Sequence, residues 1–277
     1  MTRIAVIGVG KIGEALLAGL IAGGVPPKDI AVTNPDPERG KYLQETYGVV
    51  DFTDNVQAAD GADYVFLCVK PKDTLHVLNE VSDVVDNNEG DTTVISMASG
   101  ITLRSLEDAV PVGTPVIRVM PNTPMLVRQG VSALASGRFV SEENLEHVCE
   151  LLESVGTVVV VAETDMDAVT ALSGSSPAYA FLVAEAMIDA GVSLGLTRAM
   201  SRELTIGALY GAATMLKETG REPAELRADV SSPGGTTVAA IRKLEAFGLR
   251  SAFYDATEAC ALRSKELGRT RTADDDS

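Results

Sequence analysis

A doubly wound α/β domain followed by an all-helical domain is the fold class this sequence predicts. Three observations predict it. Short apolar runs alternate with helical patterns through residues 3–161. A glycine-rich hexapeptide, Gly8-Val9-Gly10-Lys11-Ile12-Gly13, stands between the first run and the first helical pattern. After about residue 162 the strand-like runs stop, and apolar residues recur only at helical spacing.

The elements follow in order. Arg3-Ile4-Ala5-Val6-Ile7 reads as a buried parallel strand, and 14–21 as the helix after it. Ile30-Ala31-Val32-Thr33 is a second strand, and Asn34-Pro35-Asp36-Pro37 opens a helix running to Tyr47. Strands over 64–69, 93–97 and 115–120 alternate with helices over 74–85 and 103–109. Strands over 131–135 and 158–161 flank a helix over 141–154. Apolar runs of this kind, joined by helices, predict a largely parallel sheet covered on both faces, with ligand at the carboxyl ends of its strands. The domain boundary is expected at 162/163, giving domains 1–162 and 163–277. In the second, a helix over 165–194 is interrupted at Gly174-Ser175-Ser176-Pro177. Further helices cover 197–219, 236–247 and 249–267, and the polar tail from Gly268 is expected to fray.

The chain has 277 residues, enough for two domains and a sizeable core. Only 4% are aromatic, with no Trp, which suits a core packed from Ala, Val and Leu. No apolar run reaches the ~18 residues of a membrane helix. The first strand begins at once, so the expectation is a cytoplasmic protein without a signal peptide or membrane contact. A net charge of −16 argues against a nucleic-acid partner. Cys68, Cys149 and Cys260 lack metal-ligand spacing and read as small packing residues, and His76 and His147 read as surface or cap residues. No metal site is expected.

Strand, G-x-G-x-x-G turn and helix are the context of a dinucleotide fingerprint in a Rossmann-like domain. Gly8 allows the tight turn, Gly10 lets backbone approach a pyrophosphate, and Gly13 lets helix pack on strand. The second strand ends in uncharged Asn34, with Arg39 nearby, which favours NADPH over NADH; Asp36 opposes that preference. Lys70, in Val69-Lys70-Pro71, reads either as a phosphate or ribose contact or as a solvated side chain. Ser231-Ser232-Pro233-Gly234-Gly235-Thr236-Thr237 opens a helix and reads either as an anion nest for a small carboxylate or as a plain capping loop. No lysine occurs between Lys72 and Lys217, which disfavours a 3-hydroxyacid dehydrogenase needing a lysine acid/base in 165–196. A protonated imine, whose carbon is already electrophilic, fits better.

Four motifs in order carry a resemblance to the pyrroline-5-carboxylate reductase family. They are Val69-Lys70-Pro71, 118–124 (RVMPNTP), 168–179 (AVTALSGSSPAY) and 229–241 (DVSSPGGTTVAAI). The resemblance implies a Rossmann-like N-terminal domain and an all-α dimerisation domain. It implies a homodimer or higher homo-oligomer, up to a decamer, with the substrate pocket at a subunit interface. It implies NADPH-dependent reduction of (S)-1-pyrroline-5-carboxylate to L-proline. Gly8, Gly10, Lys11, Ile12 and Gly13 would hold pyrophosphate, and Asn34, Arg39 and Asn55 the adenosine side. Val69, Lys70, Pro71, Met97, Ala98 and Ser99 would line the nicotinamide side. Ser175, Ser232, Gly234, Gly235 and Thr236 would bind substrate, and Thr237 would hydrogen-bond the ring nitrogen as the catalytic contact. The family's usual glycine is Ser176 here. The alternatives are a reductase of another cyclic imine acid and a non-catalytic nucleotide-sensing protein.

Overall fold

A computed structural model describes residues 2–274 as two compact units, one formed by the chain up to Ser175 with the helix from Cys260 onward, the other by Ser176–Ala259. The sequence boundary was set at 162/163; the contacts instead keep 163–175 and the chain from Cys260 onward with the first unit.

The first unit is built on eight strands: β1 (Ile4–Ile7), β2 (Ile30–Thr33), β3 (Val50–Phe52), β4 (Tyr64–Leu67), β5 (Thr93–Ser96), β6 (Val116–Met120), β7 (Gly130–Ser136) and β8 (Gly156–Val160). They form one sheet in the order β3-β2-β1-β4-β5-β6-β7-β8. The helices are α1 (Lys11–Ala22), α2 (Pro37–Tyr47), α3 (Asn55–Ala59), α4 (Thr74–Asn87), α5 (Leu103–Asp108), α6 (Glu142–Glu153) and α7 (Met166–Val169). Strand side chains alternate between faces. Val6, Phe66, Ile95 and Ile117 therefore share a core with Leu16 and Leu20 of α1 and Leu152 of α6. Ile7, Val65, Val94 and Val116 share the other with Leu78 and Val81 of α4 and Leu106 of α5. Burial on both faces explains why these strands are apolar throughout rather than alternating.

Helix α2 begins as its sequence dictates. The Asp36 carboxylate accepts the Glu38 N–H at 3.0 Å, Pro37 occupies the first turn, and Gly48 ends the helix with φ 74°. The sheet departs from parallel at one place: β7 runs antiparallel to β6. Only residues 121–129 join the two, in a 3-10 turn over Thr123–Val127, and that is too short for a parallel crossover. Two elements of this unit were missed in the sequence reading, β3 and α3. Each is short and partly exposed, with little apolar periodicity to announce it.

The second unit contains α8 (Ser176–Ser193), α9 (Arg198–Thr219), α10 (Pro223–Asp229) and α11 (Thr236–Ala246), and the long α12 (Leu249–Asp274) begins in it. Helices α8 and α9 form a hairpin turned by Gly195 at φ 96°, and Thr197 caps α9 by accepting the Met200 N–H at 3.2 Å. A Cβ on Gly191 would stand 3.0 Å from the Ser201 Cβ, so this glycine sets how closely the pair approaches. Helix α12 continues to Asp274, past the point where the sequence suggested fraying, and the rest of that tail lies outside the described residues. Among the described residues no helix is long and apolar enough to cross a membrane.

Phe66 is fully buried in the centre of the sheet. Phe66→Ala is expected to cost about 3–5 kcal/mol, seen as a fall in the urea midpoint. An unchanged midpoint would contradict this account of the core.

Candidate functional site

The strand order reverses direction of growth between β1 and β4, and both loops that leave this switch point face the carboxyl edge. Gly8 follows β1 with φ 80°, and a Cβ there would collide with the Val69 side chain after β4. Gly10 is the N-cap of α1, and no side chain caps that terminus. A Cβ on Gly10 would meet nothing within 4 Å, so the space above the helix start is open. The N–H groups of this first turn, where Lys11 and Ile12 stand, have no intrahelical partners, and they form with the helix dipole a seat for an anion. A Cβ on Gly13 would lie 3.2 Å from the Cys68 Cβ, so α1 approaches the end of β4 closely.

A polar cluster lies beside this turn. The Val9 carbonyl accepts from Asn34 Nδ2 at 3.0 Å and from Arg39 Nε at 3.3 Å. Arg39 Nη2 donates to Glu14 Oε2 at 2.5 Å, and its guanidinium stands 5.1 Å over the Tyr42 ring. Glu14 Oε1 also accepts from Tyr47 at 3.0 Å and Tyr42 at 3.3 Å. Burial pulls the Glu14 carboxyl up, but donors from Arg39, Tyr47 and Tyr42 outweigh it and leave the group below its ordinary value. Burial, then the Glu14 hydrogen bond, pushes the Tyr47 hydroxyl up to about 12. Asn55 accepts from the Thr33 hydroxyl at 2.7 Å and donates to Glu80 at 3.0 Å, which ties it to the end of β2. Asn34 and Arg39 thus meet on one carbonyl, whereas Asn55 is held separately. Glu14 was missed in the sequence reading; a partner 25 positions away leaves no local signal.

At the ends of β4, β5 and β6 lies a cavity of about 270 Å³. Ile12, Val69, Pro71, Met97, Ala98 and Ser99, all singled out from sequence, line it. Cys68, Met120, Pro121, Asn122, Thr123 and Gly174, which the sequence reading gave no place in the site, complete it. Lys70 is exposed and does not line it; its carbonyl accepts from the Asp73 N–H and the Thr74 hydroxyl at the start of α4. Asn122 is buried, donates to the Ser173 carbonyl at 3.1 Å and accepts the Val131 N–H at 2.8 Å. This ties the wall to a π-helical turn over Thr170–Gly174, the place where the sequence breaks its helix. Gly174 sits against the Met120 methyl, which would have to shift to admit a Cβ. Ser175 ends the turn, and its hydroxyl accepts from the Cys260 thiol at 3.3 Å, so it is engaged away from the cavity lining. Cys260 is therefore more than a packing residue. Burial pushes the Cys68 thiol up to about 12, which makes it a poor nucleophile. His147, its side chain 36% exposed, stays at the surface and stacks on Tyr64 with ring centroids 5.1 Å apart.

In the second unit, Ser232-Pro233-Gly234-Gly235 is a tight turn in which the Gly235 N–H donates to the Ser232 carbonyl at 3.0 Å. Pro233 and Gly234, the latter at φ 72°, have the residue types and hand of a type II turn. Gly235 is the N-cap of α11, and no side chain caps that terminus. The N–H groups of Thr236 and Thr237 open this helix, so both possibilities weighed from sequence come down to an uncapped helix start. Ser232, Gly234 and Thr236 are exposed.

Known protein families match both the N-terminal and the C-terminal part of the chain. A family model for pyrroline-5-carboxylate reductase dimerisation matches residues 163–267, and one for coenzyme F420-dependent NADP oxidoreductases matches 3–100. The chain is 59% identical to the pyrroline-5-carboxylate reductase of Corynebacterium melassecola over 97% of its own length and all of that protein. It is 42% identical to that of Mycobacterium tuberculosis, over 96% of this chain and 97% of the other. The solved pyrroline-5-carboxylate reductase of Coxiella burnetii superposes with a TM-score of 0.92 at 38% identity, covering 96% of this chain and 98% of that one. That of Plasmodium falciparum, solved with NADP bound, superposes at 0.85 with 28% identity and the same coverage.

Two glycine substitutions separate fold from ligand. Gly8→Ala is expected to lose about 1–2 kcal/mol or more, from its left-handed backbone and the collision with Val69. Gly10→Ala should keep the thermal midpoint, since its Cβ meets nothing, yet weaken dinucleotide binding at least tenfold in calorimetry. Undiminished binding by Gly10→Ala would remove the helix start from the site.

Proposed function

The chain belongs to the pyrroline-5-carboxylate reductase family, and we propose that it reduces (S)-1-pyrroline-5-carboxylate to L-proline with NADPH, the last step in making proline. One observation carries the reading. An uncapped, open helix start at Gly10 adjoins a cavity lined by Val69, Pro71, Met97, Ala98 and Ser99, all on one side of the β1/β4 switch point. The residues fit the cofactor: the space at Gly10 is what a diphosphate needs, and the cavity walls are largely apolar, as a nicotinamide ring needs.

When bound, NADPH supplies the hydride that reduces the C=N carbon of the substrate. Gly8, Gly10, Lys11, Ile12 and Gly13 hold its diphosphate through backbone N–H groups and close approach. Arg39, Asn34 and Asn55 serve the adenosine end. Lys70, exposed beside the cavity, serves the phosphates or ribose. The cavity residues keep water from the reacting face. Ser232, Gly234, Gly235 and Thr236 bind the substrate carboxylate at the start of α11, Ser175 supports the substrate side, and the Thr237 hydroxyl orients the ring nitrogen. Orientation is the protein's main contribution, because a protonated imine needs no further acid, and holding reactants in line can supply much of the acceleration.

The helical half makes the protein a homo-oligomer. Phe181, Leu204, Tyr210 and Phe247 are 60–88% exposed in the single chain, an apolar surface that a second subunit would bury. The finer reading is a homodimer that assembles into a decamer in the cytoplasm, a compartment that suits three free cysteines. Monomeric protein in light scattering would overturn the homo-oligomer.

Pyrroline-5-carboxylate should support rapid NADPH oxidation, with six-membered piperideine carboxylates slower and 3-hydroxyacids inert with NADP. Tight NADPH binding without turnover on any of them would identify a nucleotide sensor instead. Thr237→Ala should lower kcat about 10- to 100-fold, the worth of a hydrogen bond to a charged group, with little change in NADPH affinity. Wild-type kinetics in that variant would remove Thr237 from the reaction.

A further inference from the structure

Arg39 is held unlike a free surface arginine. In a guanidinium, Nε–H and one Nη2–H share one edge. Here that edge is filled from within the protein, Nε by the Val9 carbonyl and Nη2 by Glu14. Nη1 makes no hydrogen bond among the described residues, so the remaining edge is free for an anion. Tyr42 lies under the plane and limits its swing. The nearby Asp36 carboxylate is engaged by the Glu38 N–H at the start of α2.

Glu14 is held as firmly. It sits in the first turn of α1, next to the diphosphate seat, and takes hydrogen bonds from Arg39, Tyr42 and Tyr47. Both members of the pair are about a quarter exposed, so water screens them only in part. The carboxylate stays ionised at neutral pH, because its three donors hold its pKa down. The charges of the Arg39–Glu14 pair therefore sum to about zero, even though an arginine is present.

We propose that Glu14 determines cofactor breadth: by neutralising Arg39 it makes a 2′-phosphate only modestly better than a 2′-hydroxyl, so that NADH remains a usable donor. The inference rests on the reading that Arg39 serves the adenosine ribose. It adds a residue from a different helix, whose effect opposes that of the arginine. Glu14→Gln isolates the charge. The glutamine carbonyl still accepts from Arg39, and the Val9 carbonyl and Tyr42 ring still hold the guanidinium.

The test is binding, measured by calorimetry on the purified enzyme with NADPH, NADH, 2′,5′-ADP and 5′-ADP. Glu14→Gln should tighten NADPH and 2′,5′-ADP about tenfold relative to NADH and 5′-ADP, the order expected for removing one nearby negative charge. An equal change for all four ligands, no change, or weaker binding of the 2′-phosphate ligands would overturn the proposal. Arg39→Ala separates the two readings. If it leaves the NADPH-to-NADH affinity ratio untouched, Arg39 does not serve the ribose and the parent reading fails. If it lowers that ratio while Glu14→Gln does not raise it, the parent reading stands and the role of Glu14 fails.

Discussion

The carboxyl edge of the sheet depends on one close approach, that of Gly8 to Val69. The backbone of Val69 stands 3.0 Å from where a Cβ on Gly8 would be, so these loops meet only because one residue has no side chain. The meeting has two consequences. It turns the chain at φ 80° into α1, leaving that helix uncapped at Gly10. It also brings the loop after β4 beside the loop after β1, so the anion seat and the 270 Å³ cavity become neighbours. A dinucleotide has the same two needs in the same order, a seat for charge and then a dry slot for a ring.

The chemistry is divided between types of structure. Rigid strand ends and a π-helical turn, tied together by Asn122, form the cavity. A glycine-rich turn and an uncapped helix in the helical unit present N–H groups suited to a small carboxylate. The cavity is lined by neither His, Lys, Asp nor Glu, and its one thiol is held neutral. Such a site binds and aligns, and it suits a substrate that is already activated.

What the sequence made legible was local. The hexapeptide, the strand-end segment Val69-Lys70-Pro71 and the loop 231–237 each carry their geometry in adjacent residues, and α2 announces both its ends with Asp36-Pro37 and Gly48. Apolar runs revealed seven of the eight strands; in β1, β2, β4, β5 and β6 burial on both faces leaves little choice of residue. What stayed hidden was non-local. Glu14 pairs across 25 positions and Asn122 across 51, and neither pattern exists until the chain has folded. The antiparallel turn of β7 depended on the short link 121–129, and the edge strand β3 is too brief for periodicity to register. Lys70 was read from its place at a strand end and Ser175 from resemblance; the Lys70 side chain is exposed and the Ser175 hydroxyl accepts from Cys260.

The most direct measurement is a crystal structure of the enzyme with NADPH. The account predicts the diphosphate over the N–H groups that follow Gly10, and the nicotinamide ring in the cavity against Val69, Met97 and Ala98. A nicotinamide lying outside that cavity, or a diphosphate held away from the start of α1, would contradict it.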